Sequence, residues 1–500
     1  MQFADNTFKN QHLKSLIAFT LGSLNVISFA PYYFYPISFI TLILFFSFNK
    51  EHSKKLSFFY GLGFFIFGIH WIYIALNTYG NMHPIGAAIS TLGLCIFLAL
   101  FYIPLGFKNS SFFSLFLVAS FFTLAEWLRS FIFTGFPWLS LGYSQVPNGA
   151  FVGYLPILGI HGVTFLIVLT ALMIHQLIST SKKNIKLILI LCILIIFLFG
   201  IFAHNKKWTE PIGNPFAISL IQGNVDQSLK WDQKYFSQTL SNYSNLINDA
   251  QGDLVVLPET TIPVTFKRLP ETFKNRLINN RQKFILGTIR HEDNSYLNSG
   301  VFISNEYTQF YDKRHLVPFG EFIPLRFIFN VVYEKWLNIP FNDLKRGDKH
   351  QQLFEALGNK IALNICYEDV FGDEIIEALP DATVLINISN DAWYGRSNAA
   401  SQHLQISQAR AIETGRMMLR ATNTGATAII SNNGKIIGSL PHFQRGILEG
   451  NAQGFEGSTP YSKHGSKFII LICIIILMYE LLVNRRFGFN REQKNSKMHD

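Results

Sequence analysis

Charged residues are scarce in this sequence, and the scarcity is uneven. Of the 500 residues, 15% are Asp, Glu, Lys or Arg, whereas soluble domains usually carry about 25%. Residues 11–204 hold very few charges, while residues 205–465 have the composition of a soluble protein. This contrast excludes a single soluble core and predicts a membrane domain followed by a globular domain.

Cysteine is also scarce, with four residues in the chain. Cys95, Cys192 and Cys473 lie in long apolar runs, where a thiol behaves as a small hydrophobic group. The sequence has no CxxC pair, which argues against a disulfide framework or a structural zinc site. It also lacks the GxGxxG and Walker A motifs, so we expect no nucleotide or other cofactor. Cys366 is therefore the one cysteine of the globular part.

Long apolar runs are abundant. A helix of about 20 apolar residues crosses a bilayer, and eight runs approach that length: 11–29, 34–48, 57–76, 86–106, 112–132, 159–179, 187–204 and 466–484. We therefore predict a multi-span α-helical membrane bundle with about eight transmembrane helices. The predicted division is an N-terminal membrane domain at 1–204, a globular domain at 205–465, a last helix at 466–484 and a basic tail at 485–500.

The positive charges indicate how these helices are oriented. The net charge is +10, but the excess lies in short segments between apolar runs and in the tail, which favours membrane topology over a nucleic-acid partner. The loops near 30–35, 77–85 and 133–158 contain no Lys or Arg. The positively charged segments carry Lys9, Lys14, Lys50, Lys54, Lys55, Lys108, Lys182, Lys183, Lys186, Arg485, Arg486, Arg491, Lys494 and Lys497. Since Lys and Arg collect in cytoplasmic loops, we predict cytoplasmic termini and a periplasmic globular domain on a bacterial inner membrane.

Two features of the membrane half have both a structural and a functional interpretation. Glu126 and Arg129 are three residues apart in the fifth run, so they share a helix face and can pair. The uncharged segment 135–145 is rich in aromatic residues and lies on the predicted outer side. It is either an interfacial aromatic belt or one wall of a lipid-binding site.

The globular part alternates short β-rich runs with amphipathic stretches, which predicts a layered α/β domain. Helices are predicted over 233–250, 269–281 and 399–420. Strands are predicted over Phe216–Gln222, Leu254–Leu257, Phe284–Thr288, Gly300–Ile303, Ile361–Cys366, Val384–Ser389, Ala426–Ile430 and Lys435–Leu440.

Three of the motifs carry reactive side chains. Glu259 follows the apolar run Val255-Val256-Leu257-Pro258, and Lys313 precedes Leu-Val-Pro-Phe-Gly. Cys366 ends an apolar strand and is followed by Tyr367, Glu368 and Asp369. Ligands of α/β folds bind beyond the carboxyl ends of strands, so these three positions are candidates for one site.

The three side chains are a sufficient set for acyl transfer. A thiol is a weak nucleophile near its ordinary pKa of about 8.5, so Cys366 needs a base, and Glu259 can serve. A nearby cation stabilises the oxyanion of a tetrahedral intermediate, and Lys313 can supply it. A metal site built from His315, Glu321, Cys366 and His403 is the competing interpretation, but these residues lack compact ligand spacing, and we expect no metal.

Taken together, these motifs resemble the nitrilase, or carbon–nitrogen hydrolase, superfamily. The resemblance rests on Leu257-Pro258-Glu259, on the Lys313 motif through Glu321, and on Cys366-Tyr367-Glu368. A nitrilase-like domain between seven membrane spans and an eighth resembles the apolipoprotein N-acyltransferase family. Further similar segments are Gln222-Gly223-Asn224, Lys230-Trp231-Asp232, the Phe-Pro-Trp-Leu loop, Gly142-Tyr143-Ser144-Gln145 and 387–393.

The resemblance implies an α-β-β-α sandwich in which Glu259 is the general base, Lys313 stabilises the oxyanion and Cys366 is the nucleophile. It further implies that Glu321 is a supporting carboxylate near Lys313 and that Trp231, Tyr367 and Glu368 line the pocket. The implied reaction is ping-pong transfer of an acyl group, through a Cys thioester, from a phospholipid to the α-amino group of a diacylglyceryl-cysteine on an apolipoprotein. The implied donor is phosphatidylethanolamine, acylated at sn-1.

Two alternatives remain open from the sequence. A membrane-tethered amidase would act on a soluble amide or nitrile and release ammonia without lipid. A transporter with an outer receptor domain would give Glu126 and Arg129 a role in the membrane, but it leaves the three motifs of the globular part unexplained. We expect a monomer in either case.

Overall fold

A computed structural model describes residues 11–108, 111–324 and 343–496, without the side chains of 481 and 483–496. Lys9, residues 497–500 and the side chains of the basic tail therefore lie outside the described residues.

The part of the chain before residue 205 is helical, and each predicted span there overlaps an apolar helix. The helices are α1 (Gln11–Asn25), α2 (Pro36–Phe48), α3 (Lys54–Gly68), α4 (Trp71–Ile74), α5 (Pro84–Ala99), α6 (Phe112–Arg129), α7 (Leu155–Ser179) and α8 (Lys183–His204). Glycines let two of them approach closely, because a Cβ at Gly22 of α1 would lie 1.8 Å from the Tyr60 carbonyl oxygen of α3.

Within the described part of the chain, fewer helices are both long and apolar enough to cross a bilayer than the sequence predicts. Among the described residues, four qualify: Pro84–Gly106, Phe112–Arg129, Val152–Ser179 and Lys183–His204. The pair Lys54–Gly68 and Trp71–Tyr79, bent by 49°, makes a fifth if it is one span. The structure thus contains several apolar helices that could span a membrane, and the number eight stays a prediction.

The globular part consists of two six-stranded sheets. Their strands are β1 (Thr209–Gln222), β2 (Leu254–Val256), β3 (Lys283–Glu292), β4 (Ser295–Ile303), β5 (Thr308–Asp312), β6 (Phe354–Ala356), β7 (Asn359–Ile365), β8 (Val384–Ser389), β9 (Met417–Thr422), β10 (Ala428–Ile430), β11 (Ile436–Ser439) and β12 (Gly446–Gly457). One sheet has the order β12-β1-β2-β3-β4-β5, and the other has the order β11-β10-β9-β8-β7-β6. Strands β1, β2 and β3 are parallel in the first sheet, as are β7, β8 and β9 in the second.

The helices after β1 are α9 (Gln233–Asp249), α10 (Glu271–Ile278), α11 (Gly372–Ile375), α12 (Ala399–Thr414), α13 (Pro460–His464) and α14 (Lys467–Ser496), of which α14 is the last apolar helix. Helices α9 to α12 cover the outer faces of the sheets. Residues of both sheets share one buried core, including Leu220 and Ile285 from one and Leu363 and Leu419 from the other. Helices α9 and α10 pack on the first sheet, and α11 and α12 pack on the second. The layers are therefore α-β-β-α.

The predicted helix over 399–420 is wrong at its carboxyl end. Helix α12 ends at Thr414, where Gly415 takes a left-handed conformation with φ of 66°, and β9 begins at Met417. The apolar pair Met417 and Met418 continues the helical pattern in the sequence, but both side chains are buried in the sheet. All eight predicted strands are present, whereas β5, β6, β9 and β12 were not predicted.

Helix α12 joins the sandwich to the membrane half. The Gln402 side chain accepts hydrogen bonds from the indole nitrogens of Trp71 and Trp138, at 3.1 and 2.8 Å, and donates to the Gly68 carbonyl. The Glu413 carboxylate accepts from the Ile160 amide at the start of α7. These buried polar contacts fix the sandwich against the ends of the membrane helices.

The Glu126–Arg129 pair holds the aromatic segment that follows it. The two side chains are fully buried and 3.5 Å apart. Arg129 donates to the carbonyls of Phe136 and Trp138, and Glu126 accepts from the Leu141 amide. The pair therefore fixes segment 135–145, which lies beside the sandwich.

Arg129→Met should destabilise the protein by about 3–5 kcal/mol, because it leaves a buried carboxylate without its counter-charge. The measurement is the thermal unfolding midpoint of purified protein in detergent. The double variant Glu126→Gln/Arg129→Met, which removes both charges, should recover part of the loss. An unfolding midpoint for Arg129→Met equal to that of the wild type would show that the Glu126–Arg129 pair does not stabilise the protein.

Candidate active site

The three reactive residues predicted from the sequence meet at strand ends of the two facing sheets. Glu259 lies three residues after β2, Lys313 directly follows β5, and Cys366 directly follows β7. All three are buried, with exposed fractions of 7%, 1% and 9%. The structure therefore brings them to one water-poor site.

Cys366 occupies a strained position between β7 and a short 3-10 turn, Cys366–Val370. Its φ of +54° is in the left-handed region, which a residue with a Cβ rarely adopts. Its carbonyl accepts hydrogen bonds from Asn387 Nδ2 at 3.1 Å and from His403 Nε2 at 3.2 Å. These contacts hold the strained backbone and thereby the direction of the thiol.

The Glu368 carboxylate organises the same turn. Its oxygens accept hydrogen bonds from the backbone amides of Ile365 and Arg314, both at 2.7 Å, and from the Tyr311 hydroxyl at 3.1 Å. Burial raises the pKa of Glu368, while the backbone amides and Lys313 oppose that rise. Glu368 thus ties the turn after β7 to the segment after β5, which carries Lys313.

Lys313 lies between two carboxylates. Its Nζ is 3.2 Å from Glu259 Oε1 and 3.0 Å from Glu321 Oε1. Asn298 Nδ2 donates to the same two oxygens, at 2.7 Å each, and the Asn298 carbonyl accepts from the Lys313 amide. Glu321 Oε2 accepts from the Val317 amide, which anchors the second carboxylate.

The loop that carries Glu259 lies against β3 at a glycine. A Cβ at Gly287 would be 2.4 Å from the Thr260 amide nitrogen and 2.5 Å from Glu259 Cα, so no larger residue fits there. The Gly287 amide donates to the Pro258 carbonyl, and its own carbonyl accepts from Thr261. The glycine therefore permits the approach that places Glu259 beside Lys313.

The electrostatics of the site favour a thiol over a thiolate at rest. Burial raises the pKa of Cys366 well above its ordinary value, Glu259 raises it further, and Lys313 opposes both. Burial alone would lower the pKa of Lys313, but Glu259 and Glu321 outweigh it and raise that pKa well above the usual value. Lys313 is thus a permanent cation, and Cys366 requires a base.

Lys230 is a second buried cation at the site, which the sequence reasoning did not assign to it. Its Nζ donates to the Glu259 carbonyl at 3.3 Å, and the residue is 3% exposed. Burial lowers its pKa to about 8, against the opposing effect of Glu259. Trp231 follows it and is half-buried at the turn that precedes α9.

Tyr367 connects the nucleophile's turn to the membrane half. Its hydroxyl donates to the Gly135 carbonyl at 3.1 Å, and its ring is stacked on Trp138 with centroids 6.4 Å apart. Phe371 also packs edge to face with the Tyr367 ring, with centroids 5.2 Å apart. The aromatic segment 135–145 therefore lies directly behind the site.

A buried ionic network, also missed from the sequence, lies under Cys366. His403 contacts Asp391 through Nδ1 and Asp369 through Nε2, both at 2.8 Å, and Arg420 contacts the same two carboxylates. Burial and Arg420 would lower the pKa of His403, but the two aspartates raise it to about 9. Polar residues within an otherwise apolar helix and strand were the signal for this network.

The four residues of the metal interpretation do not converge. His315 contacts Glu374 at 2.9 Å and the Thr134 carbonyl, whereas His403 belongs to the network under Cys366. Within the described ranges, no three His, Cys, Asp or Glu side chains form a group that could hold a metal ion.

The arrangement suits acyl transfer. A lysine ammonium has three donors, and Glu259 and Glu321 occupy two of those of Lys313. The third can face an oxyanion formed at Cys366, and Glu259 can receive the thiol proton.

Comparison with known proteins agrees with both halves of the structure. A family model described as the apolipoprotein N-acyltransferase N-terminal domain matches residues 21–173, and a carbon-nitrogen hydrolase model matches residues 217–459. An apolipoprotein N-acyltransferase of Nitrosomonas europaea is 38% identical over 488 residues, covering 94% of this chain and 97% of the relative. One of Neisseria meningitidis serogroup A is 36% identical over 489 residues, covering 92% and 94%.

Among solved structures, a CN-hydrolase superfamily protein from Xanthomonas campestris matches with a TM-score of 0.37 and 17% identity, over 48% of this chain and 91% of that chain. The sequence relatives match along almost their whole length, and the two family models cover the membrane helices and the sandwich. The resemblance drawn from the motifs is thus confirmed, and the chain belongs to the apolipoprotein N-acyltransferase family.

Proposed function

We propose that this protein transfers a fatty acyl group from a phospholipid to the α-amino group of a diacylglyceryl-cysteine at the N-terminus of an apolipoprotein. The observation that carries the proposal is the buried group of Cys366, Lys313 and Glu259 beside a membrane helix bundle. Two of its relatives, from Nitrosomonas europaea and Neisseria meningitidis, carry the acyltransferase name, so neither the amidase nor the transporter alternative is favoured.

In the first half-reaction, Glu259 accepts the thiol proton as Cys366 attacks the ester carbonyl of the phospholipid, with phosphatidylethanolamine at sn-1 as the proposed donor. The Lys313 ammonium stabilises the oxyanion of the tetrahedral intermediate. As the intermediate collapses, Glu259 returns the proton to the departing lysophospholipid oxygen, and a thioester remains on Cys366.

In the second half-reaction, the α-amine of the diacylglyceryl-cysteine attacks the thioester. Glu259 accepts a proton from the amine and passes it to the departing sulfur, which leaves an amide and a free thiol. Glu321 and Glu368 act as positioning residues, since they hold Lys313 and the Cys366 turn. We place Trp231 and Tyr367 in the wall of the acyl pocket.

The site must exclude water, since water would hydrolyse the thioester. Burial of all three reactive side chains and the aromatic segment behind Tyr367 support this requirement. We propose a periplasmic catalytic domain at 205–465, both termini in the cytoplasm, eight spans including one at 466–484, and a monomeric protein in the bacterial inner membrane. The alternation of Lys and Arg between loops supports that topology.

The test is a transfer assay with two defined substrates. Purified protein receives phosphatidylethanolamine labelled in its sn-1 chain and a synthetic diacylglyceryl-cysteine peptide, and mass spectrometry follows the labelled amide. We expect product with the wild type and none with Cys366→Ala. Cys192→Ala, which alters a cysteine of helix α8 far from the site in sequence, is the matched control and should retain activity. Ammonia release from small amides, without amide product from lipid, would contradict the proposal.

A further inference from the structure

A cavity of about 210 Å³ lies between the sandwich and the ends of three membrane helices. Its walls come from the carboxyl end of α6, the start of α7, the residue before α14, and α11 and α12 of the sandwich. The proposed acyl-transfer chemistry uses none of the polar side chains that line it, which include His161, Asp373, Arg410 and Tyr461.

Two buried polar side chains of the cavity have unused hydrogen-bonding atoms. His161 is 9% exposed, and its Nδ1 has no hydrogen-bond partner among the described residues. Arg410 is 2% exposed, and its Nε is likewise unpartnered, although Nη2 lies 2.9 Å from Glu413 and 3.2 Å from the Tyr143 hydroxyl. Leaving such atoms buried and unpaired costs about 1–3 kcal/mol each in general, so both atoms can gain a hydrogen bond from a polar ligand that enters the cavity.

The lining also contains the carboxylates of Asp373 and Glu374 and several aromatic rings. Asp373 is exposed, and its hydrogen bonds from Tyr461 and Ser466 all go to Oδ1 within the described structure. Trp127 and Phe131 also line the cavity and pack edge to face, with centroids 4.8 Å apart. A carboxylate and aromatic rings in one cavity favour an ammonium group, and Arg410 and His161 offer donors for an anion.

The surroundings of the cavity favour a lipid as the source of these charges. Phe131, which lines the cavity, is 48% exposed, and Leu128 on the same helix is 39% exposed. Phe468 and Leu471, just after Ser466 at the start of α14, are 53% and 56% exposed. Acyl chains can lie on these apolar residues while a polar headgroup enters the cavity.

We propose that this cavity binds the headgroup of a zwitterionic phospholipid, with the ammonium at Asp373 and the phosphate at Arg410 and His161. The bound lipid bridges α6, α14 and the sandwich. The site is separate from Cys366, and the inference does not depend on the proposed acyl-transfer chemistry.

The test measures phospholipid retained by delipidated protein in detergent, using native mass spectrometry in a Cys366→Ser background so that no lipid is consumed. His161→Phe fills the cavity, and Asp373→Asn removes its carboxylate charge. Each should weaken retention of phosphatidylethanolamine about tenfold, the size of effect expected for lost hydrogen bonds to a charged group. Asp381→Asn, at an exposed position outside this cavity, should retain the lipid as well as the background protein does.

Two further arms identify the ligand. Phosphatidylglycerol, which has no ammonium, should be retained less than phosphatidylethanolamine, and soluble glycerophosphoethanolamine should compete poorly because it lacks acyl chains. Equal retention by His161→Phe, Asp373→Asn and the background would overturn the inference, as would equal binding of the anionic lipid. Acylation of Cys366 is measured in parallel on protein that keeps this cysteine. That measurement tests the proposed function separately from lipid retention.

Discussion

Glu259→Gln should slow acylation of Cys366 by phospholipid about 10²–10⁴-fold, the usual contribution of general acid–base catalysis. The same substitution should leave alkylation of Cys366 by iodoacetamide at or above the wild-type rate. Alkylation needs only the thiolate, and iodide leaves without a proton, whereas the lysophospholipid oxygen must receive one. Both rates are measured on the purified protein by intact mass.

The pH dependence of alkylation shows whether the Glu259 charge raises or lowers the pKa of Cys366. In the wild type, burial and then Glu259 raise the pKa of Cys366, so the reactive thiolate forms only as the pH rises. Removing the Glu259 charge lowers that pKa and should shift the alkylation profile to lower pH. Glu271→Gln, on the exposed face of α10, is the matched control and should change neither rate. Equal losses of alkylation and acylation in Glu259→Gln would contradict an acid–base role.

Lys313→Met should lower the acylation rate about 10²–10³-fold, as removal of an oxyanion donor does elsewhere. It should also destabilise the protein, because the Glu259 and Glu321 carboxylates would face each other without the cation that lies 3.2 and 3.0 Å from them. Acylation rates are measured with saturating phospholipid, and stability by thermal unfolding.

Two variants separate the catalytic loss from the structural one. Lys313→Met/Glu321→Gln removes one of the facing carboxylates and should recover stability without recovering the acylation rate. Lys234→Met, at an exposed position on α9, is the matched lysine control and should behave as the wild type. Recovery of the rate in the double variant would mean that Lys313 serves only to hold the fold.

The position of the site was predictable because strand ends are visible in a sequence. Apolar runs that break at Glu259 and Cys366 mark where buried strands give way to polar turns, and the structure places both residues within three positions of a strand end. Lys313 was singled out by the apolar Leu-Val-Pro-Phe-Gly segment that follows its charged motif, since its strand, β5, carries no comparable apolar run. The local pattern of apolar residues thus predicts which residues lie at strand ends. The pairing of strands that are distant in the sequence decides which other side chains they contact.

Residues that act through other residues were not predictable. Asn298 contacts both Glu259 and Glu321, but in the sequence it is one polar residue inside a strand. Lys230 contacts Glu259, which is 29 positions away in the sequence, and His403 contacts Cys366, which is 37 positions away. The number of membrane spans is not decided by apolar length alone for a related reason, because the described helices α1 and α2 are 15 and 13 residues long although their apolar runs continue.

We propose that Cys366 carries the acyl group between the two substrates. The direct measurement is peptide mapping by mass spectrometry after incubation with acyl-labelled phosphatidylethanolamine and no acceptor. We predict one hydroxylamine-labile acyl group on the peptide that contains Cys366, and its disappearance as labelled amide forms when the diacylglyceryl-cysteine peptide is added. Formation of the amide by an enzyme that never acquires the label at Cys366, or acquires it at another residue, would contradict the account.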